Sequence, residues 1–406
     1  MTDFSLPVTL VCGFARAGKT TVREHLASHA SKRVVTLEDI EPLIQLREIA
    51  ATRGADAAVV ELPGWAEPMS VAESFVDDDD TLGDEPPLVH IDTVVTVVDA
   101  TSILKDLASS DSLNERGIPA PDGDDRTIGE VVVEQIEFCD VLLINRAAHI
   151  DEADLDRLRH VLAKLNPRAQ QLMTDDGKVD ADTIVDAALF DFEAAASAPG
   201  WLVALDHNAA SLVHDDAAGA GMFVYRARRP FHPARFFGLL HDEWSGVLRS
   251  KGYFWIASRN DMAGTVSQVG QTCRHGPAGF WWIAQPAEEW PDDEAFKAEL
   301  AHDWFSSPDA EGRETVGDRR QELVLIGMHL DRDAWQRKLD ACLLTDAEFA
   351  GGPDGWSAFE DPFPEWEDDH DHDDHDHPHG DHDHDDEPDH GHDDDHDHGH
   401  GHDHRH

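Results

Sequence analysis

Short apolar runs recur through the first 150 residues: PVTLVC (7–12), RVVTL (33–37), DAAVVEL (56–62), TVVTVVD (93–99) and DVLLIN (140–145). Their hydrophobic positions are consecutive rather than alternating, which is the pattern of strands covered on both faces. Amphipathic stretches lie between them. Over 152–165, Leu155, Leu158, Leu162 and Leu165 recur at helical spacing, Asp151 is placed to cap the start, and Asn166-Pro167 ends the run. Alternating strand and helix predict a three-layer α/β domain with a mostly parallel sheet, right-handed crossovers and a ligand site at the carboxyl ends of the strands. Residues 76–90 and 109–126, rich in Asp, Gly, Pro and Ser, read as exposed loops.

After about residue 193 the alternation fades and 196–220 reads as a linker. From Met222 the composition turns aromatic. A helix over about 232–249, with Phe237, Leu240, Trp244 and Val247 on one face, is followed by strands near 253–258, 280–284 and 322–327 and a helix over 331–342. That series predicts a small α+β domain. Its aromatic face either packs a small core or receives a partner. The expected plan is a nucleotide-binding domain over 1–195, the linker, the α+β domain over 221–346, an extension over 347–366 and a tail over 367–406.

Directly behind the first apolar run stands GFARAGKTT, residues 13–21. A triphosphate needs converging backbone N–H donors, a lysine to span the outer phosphates and a hydroxyl for Mg²⁺. Gly13, Ala17 and Gly18 supply the loop, Lys19 the ammonium, Thr20 the Mg²⁺ hydroxyl and Thr21 the next position of the cradle. VVELPGWAEP (59–68) then delivers Glu61 at a strand end with Gly64 three residues on. In that order a carboxylate orients hydrated Mg²⁺ and a glycine N–H senses the terminal phosphate. Asp99, at the end of TVVTVVD, is a second candidate for the Mg²⁺ shell or simply a loop-starting aspartate.

The formal net charge is -52 over 406 residues, and residues 367–406 contribute 18 acidic side chains against Arg405 alone. The body is acidic as well. Such a surface repels nucleic-acid phosphates and anionic lipid, so neither nucleic acid nor membrane is an expected partner, whereas cations and basic proteins are. Cys12, Cys139, Cys273 and Cys342 stand far apart without a CxxC or CxCC pair, and read as buried thiols in a reducing compartment. With no basic leader and no long apolar run, the expected location is the cytoplasm.

The tail from Asp368 onward holds 15 of the 27 histidines, interleaved with Asp and Gly, and no large apolar residue. It cannot build a core and is expected to be disordered. Neutral imidazoles such as His370, His372, His375, His377, His379, His382 and His384 are ready donors for Zn²⁺ or another transition metal, and the carboxylates concentrate cations around them.

The two loop motifs, with VVDA (97–100), DVLLINR (140–146), LAKLNPRA (162–169), RARRPFHPARF (226–236) and RRQELVLIG (319–327), resemble the CobW-type family of P-loop GTPases over about 1–346. The resemblance implies a GTPase domain followed by a CobW C-terminal domain, in proteins regarded as metallochaperones or zinc-homeostasis factors with a client metalloprotein. It implies that Gly13, Gly18, Lys19 and Thr20 hold phosphate and Mg²⁺, that Glu61 and Gly64 act as the switch with Lys19 in catalysis, and that Asn145 opens the base-recognition motif followed by Arg146. Two departures stand out. No CxCC lies between the phosphate loop and Glu61; His25 and His29, one helical turn apart, either share a metal or are solvated. In NRAAHID (145–151), Ala148 occupies the place of the guanine-reading aspartate, so guanine preference over ATP is expected to be weak unless Asp151 reaches in; Asp151 reads more readily as a helix cap, and Arg146 can stack on a base. The expected function is a nucleotide-dependent metal-insertion factor with slow hydrolysis. The alternative is a hydrolysis-weak relative serving as a metal buffer or regulatory binding module, and a small-molecule kinase is a third reading.

Overall fold

The structure is a computed structural model that describes residues 4–82, 87–197, 199–205, 217–294, 296–298 and 316–366. The histidines of the tail lie outside the described residues. Strands β1 (Leu6–Cys12), β2 (Val34–Glu38), β3 (Ala57–Glu61), β4 (Val89–Asp99), β5 (Val141–Asn145) and β6 (Gln170–Thr174) form a parallel sheet in the order β2-β3-β1-β4-β5-β6. Helices α1 (Lys19–His29), α2 (Leu43–Thr52), α3 (Pro68–Leu82), α4 (Ile103–Leu107), α5 (Ile128–Phe138) and α6 (Glu152–Leu165) connect them.

The consecutive apolar runs arise because successive side chains feed two cores. Val11, Val59, Val97 and Leu143 meet Val22 and Leu26 of α1, whereas Leu10, Val60, Leu142 and Ile144 join the core that contains α5 and α6. Each fully buried Val or Leu contributes about 1.5–3 kcal/mol relative to exposure, so both faces of the sheet are fixed by the same strands. Helix α6 spans 152–165, as its leucine spacing predicts, and the Asp151 side chain caps it by accepting from Asp154 N at 2.8 Å.

The second sheet is antiparallel, in the order β10-β9-β8-β11-β7, formed by β7 (Ala220–Ala227), β8 (Val247–Phe254), β9 (Met262–Val269), β10 (Thr272–Phe280) and β11 (Gln321–Met328). The helix Arg332–Asp340 follows it. Short helices α7 (Phe192–Ser197) and α8 (Gly200–Leu205) precede it, so part of the stretch read as a linker is helical, with Trp201 buried. The 347–366 extension packs Trp356 and Phe363 into the second domain, and Asp361 accepts from Ser258 at 2.7 Å and Arg259 at 2.8 Å.

Four local expectations are corrected. The loop expected at 76–90 is helical up to Leu82, because Val71, Ala72 and Phe75 anchor α3 and the Asp run continues its turns. The helix expected over 232–249 stops at Leu240; the chain turns through Gly246, at φ 78°, and Val247 already begins a strand. Of the strand expected near 253–258 only the first residues belong to β8, and 257–259 form a 3-10 turn. The strand expected near 280–284 is likewise the end of β10 followed by a 3-10 turn over Trp282–Ala284.

The core that contains α5 and α6 runs on through Trp201 to Met222, Val269, Val324 and Ile326 of the second sheet. Helix α5 also supplies charge to that contact. Arg249 of β8, 3 % exposed, donates to Glu137 at 2.9 Å, and Arg274 of β10 pairs with Glu130. Among the described residues no helix is long and apolar enough to cross a membrane.

Candidate nucleotide site

Between β1 and α1 the chain makes the loop 13–18, and two of its glycines are dictated by contact. Gly13 has φ 138° and a Cβ there would stand 2.4 Å from Val97 O; Gly18 has φ 109° and a Cβ would stand 2.4 Å from Asn145 Nδ2. The loop is thus wedged between β4 and the end of β5. Arg16 also takes a left-handed φ of 67°, a conformation that costs a non-glycine residue energy. No side chain caps the N-terminus of α1 and its first turn carries no acid, so its amides are left for an anion. Ala17 is buried in the loop, and Thr21 is exposed on the first turn.

Lys19 Nζ donates to Gly13 O at 2.7 Å, arching over the loop. Burial pulls its ammonium below the usual lysine value, and the nearby Glu61 carboxylate opposes that fall. One residue on, Thr20 Oγ1 donates to Glu61 Oε1 at 2.9 Å. Glu61 is itself buried, and its Oε2 accepts no hydrogen bond from the described residues. Arg23 stands 3.2 Å from that oxygen and 3.2 Å from Glu38. Asp99 instead faces Arg146 and Thr101, so the threonine hydroxyl is matched with Glu61.

Gly64 lies against the loop, where a Cβ would come within 3.0 Å of Ala15 N. Its segment is held from behind by α5. Gln135 Nε2 donates to Gly64 O at 3.1 Å and Ala66 O at 2.9 Å, and Arg126 donates to Trp65 O at 2.9 Å. Beyond these contacts a cavity of about 420 Å³ opens between α5 and the second sheet, lined by Glu67, Glu134, Trp201 and Lys251 among others. Burial pushes Glu134 up to about 7 against the pull of Arg126.

At the other end Asn145 Nδ2 donates to Ala17 O at 2.9 Å, bracing the loop. Arg146, at φ 58°, pairs with Asp99 and donates to Arg16 O at 3.1 Å, so its guanidinium is engaged by the loop. Asp151 is committed to capping α6. The carboxylate beside Ala148 is Asp175, just after β6: its Oδ1 accepts from Ala148 N at 3.2 Å. Sequence reading passed over Asp175, since its strand lacks an apolar run.

Among the described residues no group of three or more His, Cys, Asp and Glu side chains is arranged to hold a transition metal. His25 Nε2 is within 2.8 Å of Val179 O, and its ring stacks on His29 at 4.1 Å. Cys12, Cys139 and Cys342 are buried, and burial raises all four thiols, Cys139 and Cys273 to about 12 and Cys342 to about 11. Burial thus disfavours the thiolate at each of them, and no cysteine belongs to a metal-holding group among the described residues.

A parallel sheet with a glycine-bounded loop, a lysine and a threonine at the head of the first helix defines a P-loop nucleotide-binding fold. The family comparisons agree: residues 34–173 match the CobW/HypB/UreG nucleotide-binding domain and residues 220–343 the cobalamin synthesis protein cobW C-terminal domain, so the chain carries both. It is 28 % identical over 408 residues to the zinc-regulated GTPase metalloprotein activator 1 of Dictyostelium discoideum, covering 88 % of this chain and 84 % of that one. It is also 28 % identical over 333 residues to a zinc chaperone of Mycobacterium tuberculosis, covering 80 % and 76 %. A Zn(II)-bound YjiA GTPase from E. coli aligns with a TM-score of 0.35 at 17 % identity, over 84 % of this chain and 99 % of that one.

Proposed function

We propose that this protein is a nucleotide-dependent metal-delivery or zinc-homeostasis factor of the cytoplasm, which binds GTP or ATP with Mg²⁺, hydrolyses it slowly and passes metal from its histidine-rich tail to a client metalloprotein. The observation that carries the reading is the Thr20–Glu61 pair one residue beyond Lys19. Thr20 and Glu61 suit Mg²⁺: both present oxygen, and the buried Glu61 Oε2 accepts no hydrogen bond from the described residues, its ion-pair partner being Arg23 at 3.2 Å, which a cation or its water would have to displace. When bound, the ion neutralises charge on the outer phosphates. Lys19 exchanges Gly13 O for phosphate oxygen, and the uncapped amides of α1 complete the cradle. In this reading Gly64 senses the terminal phosphate and passes that state to α5 through Gln135; its closeness to Ala15 and its hydrogen bond from Gln135 support the role.

The names of the relatives from Dictyostelium discoideum and Mycobacterium tuberculosis support zinc as the cargo. With the four cysteines far apart in the chain and three of them buried, His370 to His384 and the histidines that follow are the metal donors of this reading. Ala148 and the lack of CxCC favour a second reading, a hydrolysis-weak metal buffer. Titrating purified protein with GTP and ATP in Mg²⁺, and measuring turnover with and without Zn²⁺, separates the two. Zinc-dependent turnover supports delivery, binding without turnover supports the buffer, and no binding at millimolar nucleotide rejects both nucleotide roles. Ending the chain after Trp366 is expected to remove most bound Zn²⁺ while sparing nucleotide affinity.

A further inference from the structure

Guanine offers N1–H and N2–H₂ along one edge, and a carboxylate is the side chain that accepts from both. Ala148 cannot do so. Strand β6, however, pairs in register with β5, Asn145 opposite Thr174, so the residues just past each strand end are neighbours. Asp175 stands there, and its Oδ1 takes the Ala148 N–H at 3.2 Å, which brings a carboxylate next to the backbone of position 148.

Three further contacts turn the loop after β6 toward the nucleotide helix. Thr174 Oγ1 donates to Lys178 O at 3.0 Å and closes the loop on itself. Gly177, at φ 69°, lies so close to α1 that a Cβ would stand 3.1 Å from the Val22 side chain and 3.2 Å from Val22 N. His25 Nε2, one turn further along the same helix, lies 2.8 Å from Val179 O and 3.3 Å from Val179 N. Asp175 is therefore held beside the helix that begins at Lys19, on the side where Asn145 braces the phosphate loop. Its Oδ2 accepts no hydrogen bond from any described residue, His149 Nδ1 stands 3.8 Å from its Oδ1, and the side chain is 45 % exposed. Asp151, by contrast, is turned to the start of α6, where its Oδ1 accepts from Asp154 N at 2.8 Å.

We propose that Asp175 reads the guanine edge, so that a carboxylate delivered by β6 replaces the one missing at position 148 and makes the protein GTP-selective. The proposal rests on the nucleotide-binding reading above and goes further by fixing the base. Xanthine tests it sharply, because it keeps N1–H but presents a carbonyl where guanine presents N2–H₂. Asparagine is complementary to that edge, and its Oδ1 still accepts from Ala148 N.

The test is competition of GTP, ATP and XTP against a fluorescent GTP analogue on the full-length chain, for the wild type and Asp175→Asn. The wild type should favour GTP over ATP by at least about tenfold, and D175N should weaken GTP by about 10- to 100-fold while strengthening XTP. Asp151→Asn, as a control, should leave the order unchanged. Equal wild-type affinity for GTP and ATP overturns the proposal while leaving nucleotide binding intact. So does a D175N protein that loses all three nucleotides alike, since that is a structural role, or one that keeps GTP. If the wild type binds no nucleotide, the parent reading falls and this one with it.

Discussion

At the phosphate end of the proposed cleft, Gly13 to Thr20 are contiguous, and one turn of chain brings together the arching Lys19, the Thr20 hydroxyl and the open amides of α1. The base end is assembled otherwise. Asn145 of β5 and Arg146 just after it hold the loop, Ala148 offers only its N–H, and the carboxylate that meets it comes from beyond β6. A contiguous cradle depends on local backbone shape, whereas a base pocket built across two strands depends on their register. The first tolerates little substitution; the second permits an acid to move from one loop to its neighbour.

Variants break the comparison in graded ways. Lys19→Ala should have the largest effect, a loss of at least about 100-fold in affinity for GTP and ATP alike, because the phosphate end is blind to the base. Unequal loss in the titration would mean that Lys19 does more than hold phosphate. Asn145→Ala should come next. It removes the brace on Ala17 O, frees the loop from the end of β5 and should weaken both nucleotides about tenfold, with a drop in stability of about 1–3 kcal/mol from the stranded buried carbonyl. Glu61→Gln should cost less in affinity but abolish most of the difference between nucleotide binding with Mg²⁺ and with EDTA.

The smallest effect expected is on pH dependence. Burial lowers the Lys19 pKa, so its ammonium is lost before the ordinary value of 10.5 is reached. Nucleotide affinity should decline as pH rises toward that value. Apo stability should move the other way: between the lowered native pKa and the unfolded one the unfolded state binds more protons, so the Lys19 contribution to stability grows as pH rises. Denaturant titrations and nucleotide titrations over the same alkaline range read the two trends separately.

Much of this architecture was legible in the residue pattern. Buried parallel strands advertise themselves because both faces demand apolar side chains, and α6 combined periodicity with a cap and a stop. The glycine-lysine-threonine spacing likewise needs no tertiary partner to be read. What escaped lacks a local signature. Strand β6 is half exposed and polar, so Asp175 behind it had no visible context. Strand β9, MAGTVSQV, carries small and polar residues, including Gly264, whose Cβ would strike the Phe254 ring at 2.3 Å. The aspartates at 77–80 resemble loop composition, yet the helix started by Pro68 carries them, as the composition of a few residues does not end a helix that tertiary contacts already hold.

Helix α5 touches everything that matters: Gln135 grips the segment of Gly64, while Glu130 and Glu137 receive Arg274 and Arg249 from the opposite sheet. Calorimetry should accordingly record one melting endotherm for both sheets rather than two, since neither can loosen without stripping α5 of its neighbours. Fragments made separately at the 1–195 boundary would each wet an oily seam and tend to precipitate, which makes recombinant dissection of this molecule a poor route to its parts.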